Sequence, residues 1–237
     1  MKVLVLDIGG THVKLLATGR HTPVKIDSGP TLTPAAMVKS VKSATAGWNY
    51  DVLSVGFPGP VVHGKPLHEP FHLGRGWMRF DFERAFRCPV RVINDAAMQA
   101  LGSYAGGRML FLGLGTGLGS AVVDDGHLTP TELAHLPYRN GKTFEEYLGV
   151  AGLEKNGRRR WERHVHEVAE LLRAALICDY VVLGGGNARK LKTLPPHARL
   201  GDNANAFVGG FRLWQTPLER TRAGRRPPRK TGRRRPG

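Results

Sequence analysis

Apolar and polar positions along the 237-residue chain fall into two similar series. In the first, Val3–Leu6, Val13–Ala17 and Val24–Ser28 read as a strand meander. Thr33-Pro34-Ala35-Ala36 opens a helix running to about Ala46, with Thr33 as its cap and Pro34 at its first position. Val52–Phe57 is an apolar strand ending in Pro58-Gly59-Pro60. Val90–Ile93 is a shorter one ending in Asn94-Asp95, and Ala96–Tyr104 is a helix stopped by Gly106-Gly107. The second series repeats the order. Met109–Leu114 and Ser120–Asp124 predict paired strands. A helix over about Lys155–Leu176 sets Val165, Val168, Leu171, Leu172 and Ala175 at helical spacing. Tyr180–Leu183 is a strand running into Gly184-Gly185-Gly186, and Asn203–Trp214 reads as a last helix. The repeated order predicts an α/β protein of two lobes with a cleft between them. Ligands in such sheets bind beyond the carboxyl ends of the strands, where the glycine-rich and acidic motifs fall.

Each series contains a glycine-rich turn between strands: Asp7-Ile-Gly-Gly-Thr-His-Val-Lys14 and Leu112-Gly-Leu-Gly-Thr-Gly-Leu-Gly-Ser120. Glycines let backbone N–H groups approach a bound anion, and successive free N–H groups form a concavity suited to phosphate. Ordinary hairpin turns also favour glycine pairs. Two such turns at matching places predict a duplicated fold that grips a phosphate chain from both sides.

Composition narrows the classes. Hydrophobic residues make up 41% of the chain, ordinary for a globular protein, and no apolar run reaches the roughly 18–20 residues of a membrane span. The start of the chain enters a strand without a secretory signal pattern. Two cysteines, Cys88 and Cys178, are too few and too far apart for a disulfide framework or a cysteine zinc site, which fits a reducing, cytoplasmic setting. The net charge of +16 is uneven: Arg220–Gly237 holds nine Lys/Arg and no acid, leaving +7 elsewhere. That segment lacks apolar residues for a core and is expected to be a disordered tail, read either as a nonspecific polyanion contact, to nucleic acid or polyphosphate, or as a solvated extension with no specific partner. A basic folded part suits an anionic substrate.

Six motifs in order carry a resemblance. Asp7-Ile-Gly-Gly-Thr11 with Lys14, Phe57-Pro-Gly59, Val92-Ile-Asn-Asp-Ala96, Leu114-Gly-Thr-Gly-Leu-Gly-Ser120, Thr131-Glu-Leu-Ala-His135 and Val182-Leu-Gly-Gly-Gly186 resemble the ROK-type sugar kinases, most closely their polyphosphate glucokinase branch. It covers Lys2 to about Trp214. The resemblance implies two ribonuclease-H-like lobes of the actin-like ATPase fold. An N-terminal lobe over 1–106 would carry the first phosphate turn and the catalytic acid. A C-terminal lobe over 107–216 would carry the second turn and the sugar motif, and a basic tail would follow over 217–237.

By the same resemblance the activity is phosphoryl transfer from polyphosphate, ATP or both, with Mg²⁺, to the 6-hydroxyl of glucose or a related hexose. Asp95 would accept the hydroxyl proton, because phosphoryl transfer needs mainly positioning, charge stabilisation and an oriented base; an N-cap pair is the ordinary alternative for Asn94-Asp95. Asn94, Glu132, His135 and Glu145, with Pro58 and Gly59, would hold the sugar. Ala134 stands where the family has glycine, and the adjacent Glu146 competes with Glu145 for its assignment. Asp7 would meet Mg²⁺ through water. Gly9, Gly10, Thr11 and Lys14 would hold one end of the donor, Gly115, Thr116 and Gly117 the other. Gly184, Gly185 and Gly186 would underlie a nucleotide. The His/Cys zinc site of many ROK proteins has no counterpart between His135 and Glu145, so no structural zinc is expected. In Glu69-Pro-Phe-His-Leu-Gly-Arg-Gly-Trp77, His72 replaces the usual asparagine of a sugar-side loop, and Trp77 reads as an anchor beneath it. Some ROK proteins are sugar-responsive repressors with an N-terminal DNA-binding domain, whereas here the first strand begins at Lys2; a regulator or non-catalytic relative is the alternative class. Homodimers are common among the resembled proteins.

Overall fold

The computed structural model describes residues 1–215; the basic segment expected to be a disordered tail, 217–237, lies outside the described residues. The first sheet contains β1 (Val3–Ile8), β2 (His12–Ala17), β3 (Val24–Asp27) and β4 (Val52–Phe57). A small hairpin of β5 (Val61–Val62) and β6 (Lys65–Pro66) precedes its last strand, β7 (Val90–Asn94). Its order is β3-β2-β1-β4-β7, antiparallel from β1 to β3 and parallel from β1 through β4 to β7. The second sheet contains β8 (Arg108–Leu114), β9 (Leu118–Asp124), β10 (His127–Thr131), β11 (Tyr180–Gly184) and β12 (Ala198–Leu200). Its order, β10-β9-β8-β11-β12, repeats the same directions. The sheets are therefore topological copies, and the glycine turns are their equivalent β1–β2 and β8–β9 hairpins.

The helices are α1 (Pro34–Ala44), α2 (Phe82–Phe86), α3 (Asp95–Ser103), α4 (Phe144–Leu148), α5 (Val150–Ala175) and α6 (Asn205–Arg212). Thr33 caps α1 by accepting the Ala36 N–H at 3.3 Å. Met37 and Val41 of α1 join Leu4, Leu6, Leu53 and Val55 in the first core. Trp161, Val165, Val168 and Leu172 of α5 cover Leu110, Leu112 and Val181 of the second sheet. Each fully buried side chain of this size contributes roughly 1.5–3 kcal/mol of transfer free energy.

Between the sheets lies α3. Its Ala96, Ala97 and Ala100 pack on Phe111 and Ala121 of the second sheet, while Met98 packs on Val5, Val52 and Phe207. Small side chains let it lie this close. A Cβ on Gly119 of β9 would come within 2.5 Å of the Ala96 Cβ. On its other side α3 crosses α6, where a Cβ on Gly102 would collide with the Asn205 carbonyl, and one on Gly209 with the Met98 carbonyl. The last helix thus packs on α3, β1 and β4 of the first sheet. Ser54 Oγ donates to Gly210 O at 2.6 Å and accepts from Trp214 Nε1 at 2.9 Å.

One helix expectation changes in two respects. The expected Lys155–Leu176 helix begins at Val150, after Gly149, whose lack of a capping side chain leaves no polar start signal. It is also interrupted at Gly157, with φ 69° and ψ 157°.

Candidate functional site

The first turn is built on a buried acid. Asp7 lies near the end of β1, whose six residues are all buried. Across the β1–β2 ladder its partner is Lys14, with Nζ 3.3 Å from Asp7 Oδ2. Burial pushes the Asp7 carboxyl above its ordinary range, and the Lys14 ammonium pulls it back. The turn is closed by Gly9 N–H donating to His12 O at 2.9 Å, and Ser28 Oγ donates to Gly9 O at 2.6 Å. A Cβ on Gly10 would lie 2.9 Å from the His72 Cβ, so the loop read as sugar-side covers this turn. Glu69 shapes that loop by accepting the N–H groups of Gly76 and Trp77, both at 3.0 Å. Trp77 is fully buried against Phe57, as an anchor should be.

Asp95 starts α3 at the carboxyl end of β7. Asn94 caps the helix by accepting the Ala97 N–H at 3.0 Å, and its amide donates to Gly59 O at 3.1 Å. The structural use of Asn94 is therefore real, and the same bond ties the Pro58-Gly59 turn to α3. Asp95 Oδ1 accepts the Ala96 N–H at 2.7 Å. Burial first, then repulsion from Asp7, push the Asp95 carboxyl from an ordinary 3.8 to about 7, with a smaller push from Glu132. Asp95 is thus electrostatically joined to an acid from each sheet.

Glu132 follows β10 and precedes a short 3-10 turn over Leu133–His135. Burial and the nearby Glu145 push its carboxyl up, and His135 pulls it down. His135 Nε2 lies 3.9 Å from Glu132 Oε2, on an exposed side chain. Ser120, buried on β9, fixes this corner: it donates to Thr131 O at 3.0 Å and accepts from Thr131 Oγ1 at 2.8 Å and Leu133 N at 3.2 Å. Both neighbours of Glu132 are held by one hydroxyl. Glu145 and Glu146 divide cleanly. Glu146 completes the capping box of α4 with Thr143. Glu145 Oε2 accepts the Leu118 N–H at 3.1 Å and lies against Gly117, where any Cβ would strike it.

The second turn is braced from three sides. Gly115 N–H donates to Gly117 O at 3.1 Å, and Val150 N–H at the start of α5 donates to Thr116 O at 3.1 Å. Asn187 donates through its side chain to Gly115 O at 3.0 Å and through its backbone to Leu114 O at 2.9 Å. Gly184 is required by packing, since a Cβ there would sit 2.5 Å from Phe111; Gly185 has φ 81° and approaches Leu114 O. Only Gly186 of the three borders open space.

Asp95 thus feels the charges of Asp7, in the first turn, and of Glu132, which in turn feels Glu145, bonded to the second turn. Ser120 and Asn187 are positioning residues that carried no sequence role. A buried serine must find partners, but which partners is visible only in three dimensions. Among the described residues no group of three His, Cys, Asp or Glu is arranged to hold a metal ion; Asp7 is a buried carboxylate at the first glycine turn. No described helix is long and apolar enough to cross a membrane.

A sequence profile described as the ROK family matches residues 3–132. The chain is 29% identical over 207 residues to a polyphosphate glucokinase of Mycobacterium tuberculosis (strain CDC 1551 / Oshkosh), covering 78% of this chain and 77% of that one. The inorganic polyphosphate/ATP-glucomannokinase structure from Arthrobacter sp. strain KM is 23% identical, with TM-score 0.71, over 88% of this chain and 96% of the other. A ROK family glucokinase from Streptomyces griseus, in complex with glucose and AMPPNP, superposes with TM-score 0.70 at 17% identity, over 90% and 99% of the two chains. Both share the two-lobed fold.

Proposed function

Since the chain belongs to the ROK family, we propose that it is a hexose kinase that transfers a phosphoryl group from polyphosphate, ATP or both to the 6-hydroxyl of glucose. The observation that supports this reading is Asp95 at the start of α3, electrostatically coupled to Asp7 of the first turn and to Glu132 of the second lobe.

A carboxyl poised at about 7 is ionised often enough to accept a proton near neutrality, and basic enough to take it from an alcohol in the transition state. In the proposed step Asp95 takes the hydroxyl proton as the sugar oxygen bonds to the terminal phosphorus. The bridging P–O bond breaks, and the shortened donor leaves with the bond's electron pair. Glu132 and His135 contribute directional hydrogen bonds to ring hydroxyls, and Ser120 holds Glu132 in register. The backbone of Gly9, Gly10 and Thr11 and of Gly115, Thr116 and Gly117 grips the donor.

Asp7, the buried carboxylate of the first turn, would hold Mg²⁺, which would neutralise phosphate charge when bound. Lys14, paired with Asp7, keeps that carboxylate oriented. Closure of the lobes on α3 would exclude water from the donor. Relatives named for polyphosphate glucokinase activity support the sugar and the donor class.

The test is formation of glucose 6-phosphate with ATP and with polyphosphate in separate assays. A chain that phosphorylates no common hexose with either donor is not the proposed enzyme.

A further inference from the structure

The break in α5 carries a charge pattern that the sugar and donor residues leave unused. Gly157 lies outside the helical range, so a second helical segment restarts at Arg158. Arg158, Arg159 and Arg160 fill its first turn and Arg163 follows one turn later. This is the positive end of the helix dipole, where cations are disfavoured by about 0.3–1 kcal/mol each.

All four arginines are exposed, and none has a carboxylate within 4.0 Å among the described residues. The acid among them, Glu162, is engaged elsewhere: its Oε1 accepts the N–H groups of Lys192 and Thr193, both at 2.8 Å. The four arginines, with Asn156 and Gly157, line one open cavity of about 580 Å³. Unpaired guanidinium groups gathered at a helix start, against the dipole, are what a multivalent anion needs.

The cavity lies on α5, the helix whose first residue is bonded to the second glycine turn. Val150 N–H bonds Thr116 O in that turn, and Arg158 follows further along the same chain segment, just past the break at Gly157.

We propose that this arginine-lined cavity is a distal subsite for inorganic polyphosphate, holding internal phosphates of a chain whose end is at the glycine turns. The orientation of the chain rests on the kinase reading; the binding itself does not. Polyphosphate carries its charges on consecutive phosphorus atoms, a density that suits four guanidinium groups around one cavity. Nucleic acid spaces its charges by sugars, and no aromatic side chain lines the cavity to stack a base.

The test measures binding of long-chain polyphosphate and of tripolyphosphate to the full-length protein by calorimetry. Three proteins are compared: the parent, Arg158→Gln/Arg159→Gln/Arg160→Gln, and the charge-matched control Lys25→Gln/Lys39→Gln/Lys65→Gln. The parent should prefer the long chain, the control should keep that preference, and the arginine variant should lose at least about tenfold of it. Arg163→Gln alone should show a smaller loss in the same direction, which keeps the test decisive if the triple variant folds poorly. The idea is overturned if the parent shows no preference, if both triple variants lose it equally, or if single-stranded DNA competes the long chain off the arginines at equal charge. An absence of hexose phosphorylation would reject the kinase reading alone, since calorimetry needs no turnover.

Discussion

Glu145 Oε2 accepts the Leu118 N–H at 3.1 Å, so an acid expected at the sugar is bonded to the turn expected at the donor. Any shift of one is felt by the other. Removing the carboxylate with Glu145→Ala leaves that N–H without its charged acceptor, a change of about 1.5–3 kcal/mol. The catalytic efficiency for both glucose and donor should fall together, by roughly 10- to 100-fold, with Glu145→Gln intermediate. Initial rates with each substrate varied in turn check this; a loss confined to one substrate contradicts the coupling.

Asp95→Asn keeps the shape of the side chain and removes the base. Turnover should drop by about 10²–10⁴-fold, while glucose affinity measured by calorimetry changes little. A variant retaining a tenth of the parent turnover would show that another group takes the proton.

The raised carboxyl of Asp95 also sets two opposite pH trends. Activity needs the ionised form, so kcat/KM for glucose should decline about tenfold per unit below pH 7. Stability runs the other way. Between 3.8 and about 7 the folded protein holds a proton at Asp95 that the unfolded chain has released, so this group's stabilising contribution is complete below 3.8 and is lost as pH rises through 7. Three units correspond to an upper limit of about 4 kcal/mol. Asp95→Asn should therefore be more stable than the parent at pH 8, by about 1–4 kcal/mol, with the gap shrinking toward pH 4. Urea midpoints that coincide at both pH values would contradict it.

Ser120→Ala removes the hydroxyl that fixes both neighbours of Glu132. The Leu133 N–H loses its acceptor, costing about 1–3 kcal/mol. Glucose KM should rise several-fold more than donor KM, because the displaced group is Glu132. Equal changes in both constants would mark a merely structural role.

Gly102→Ala drives a methyl group into the Asn205 carbonyl at the α3–α6 crossing. Overpacking of this kind costs about 1–3 kcal/mol, and backbone cannot rotate aside. The melting temperature should fall by several degrees in a thermal melt of the variant against the parent; an unchanged melting temperature would contradict the close α3–α6 crossing.

Legibility followed the reach of each signal. The all-buried strands β1 and β4, the Thr33-Pro34 helix start and the Asn94 cap are local patterns, and each is present in the structure. The two-residue strands β5 and β6 and the three-residue β12 are too short for any period to show. Gly157 falls inside an amphipathic run, and its backbone angles leave no trace in composition. The acids of the site were legible as motifs. The bonds from Ser120, Asn187 and Glu145 that hold the site were not, since they join residues whose proximity is created by sheet registry.

The return of α6 to β1 and β4 has a consequence for synthesis. Ser54 and Gly210, bonded in the finished protein, are 156 residues apart. A ribosome must therefore deliver nearly the whole described chain before the first-made half can cover Val5. The strands and α5 of the later half lie within one uninterrupted stretch, so that half can be completed while its predecessor still waits for its last helix.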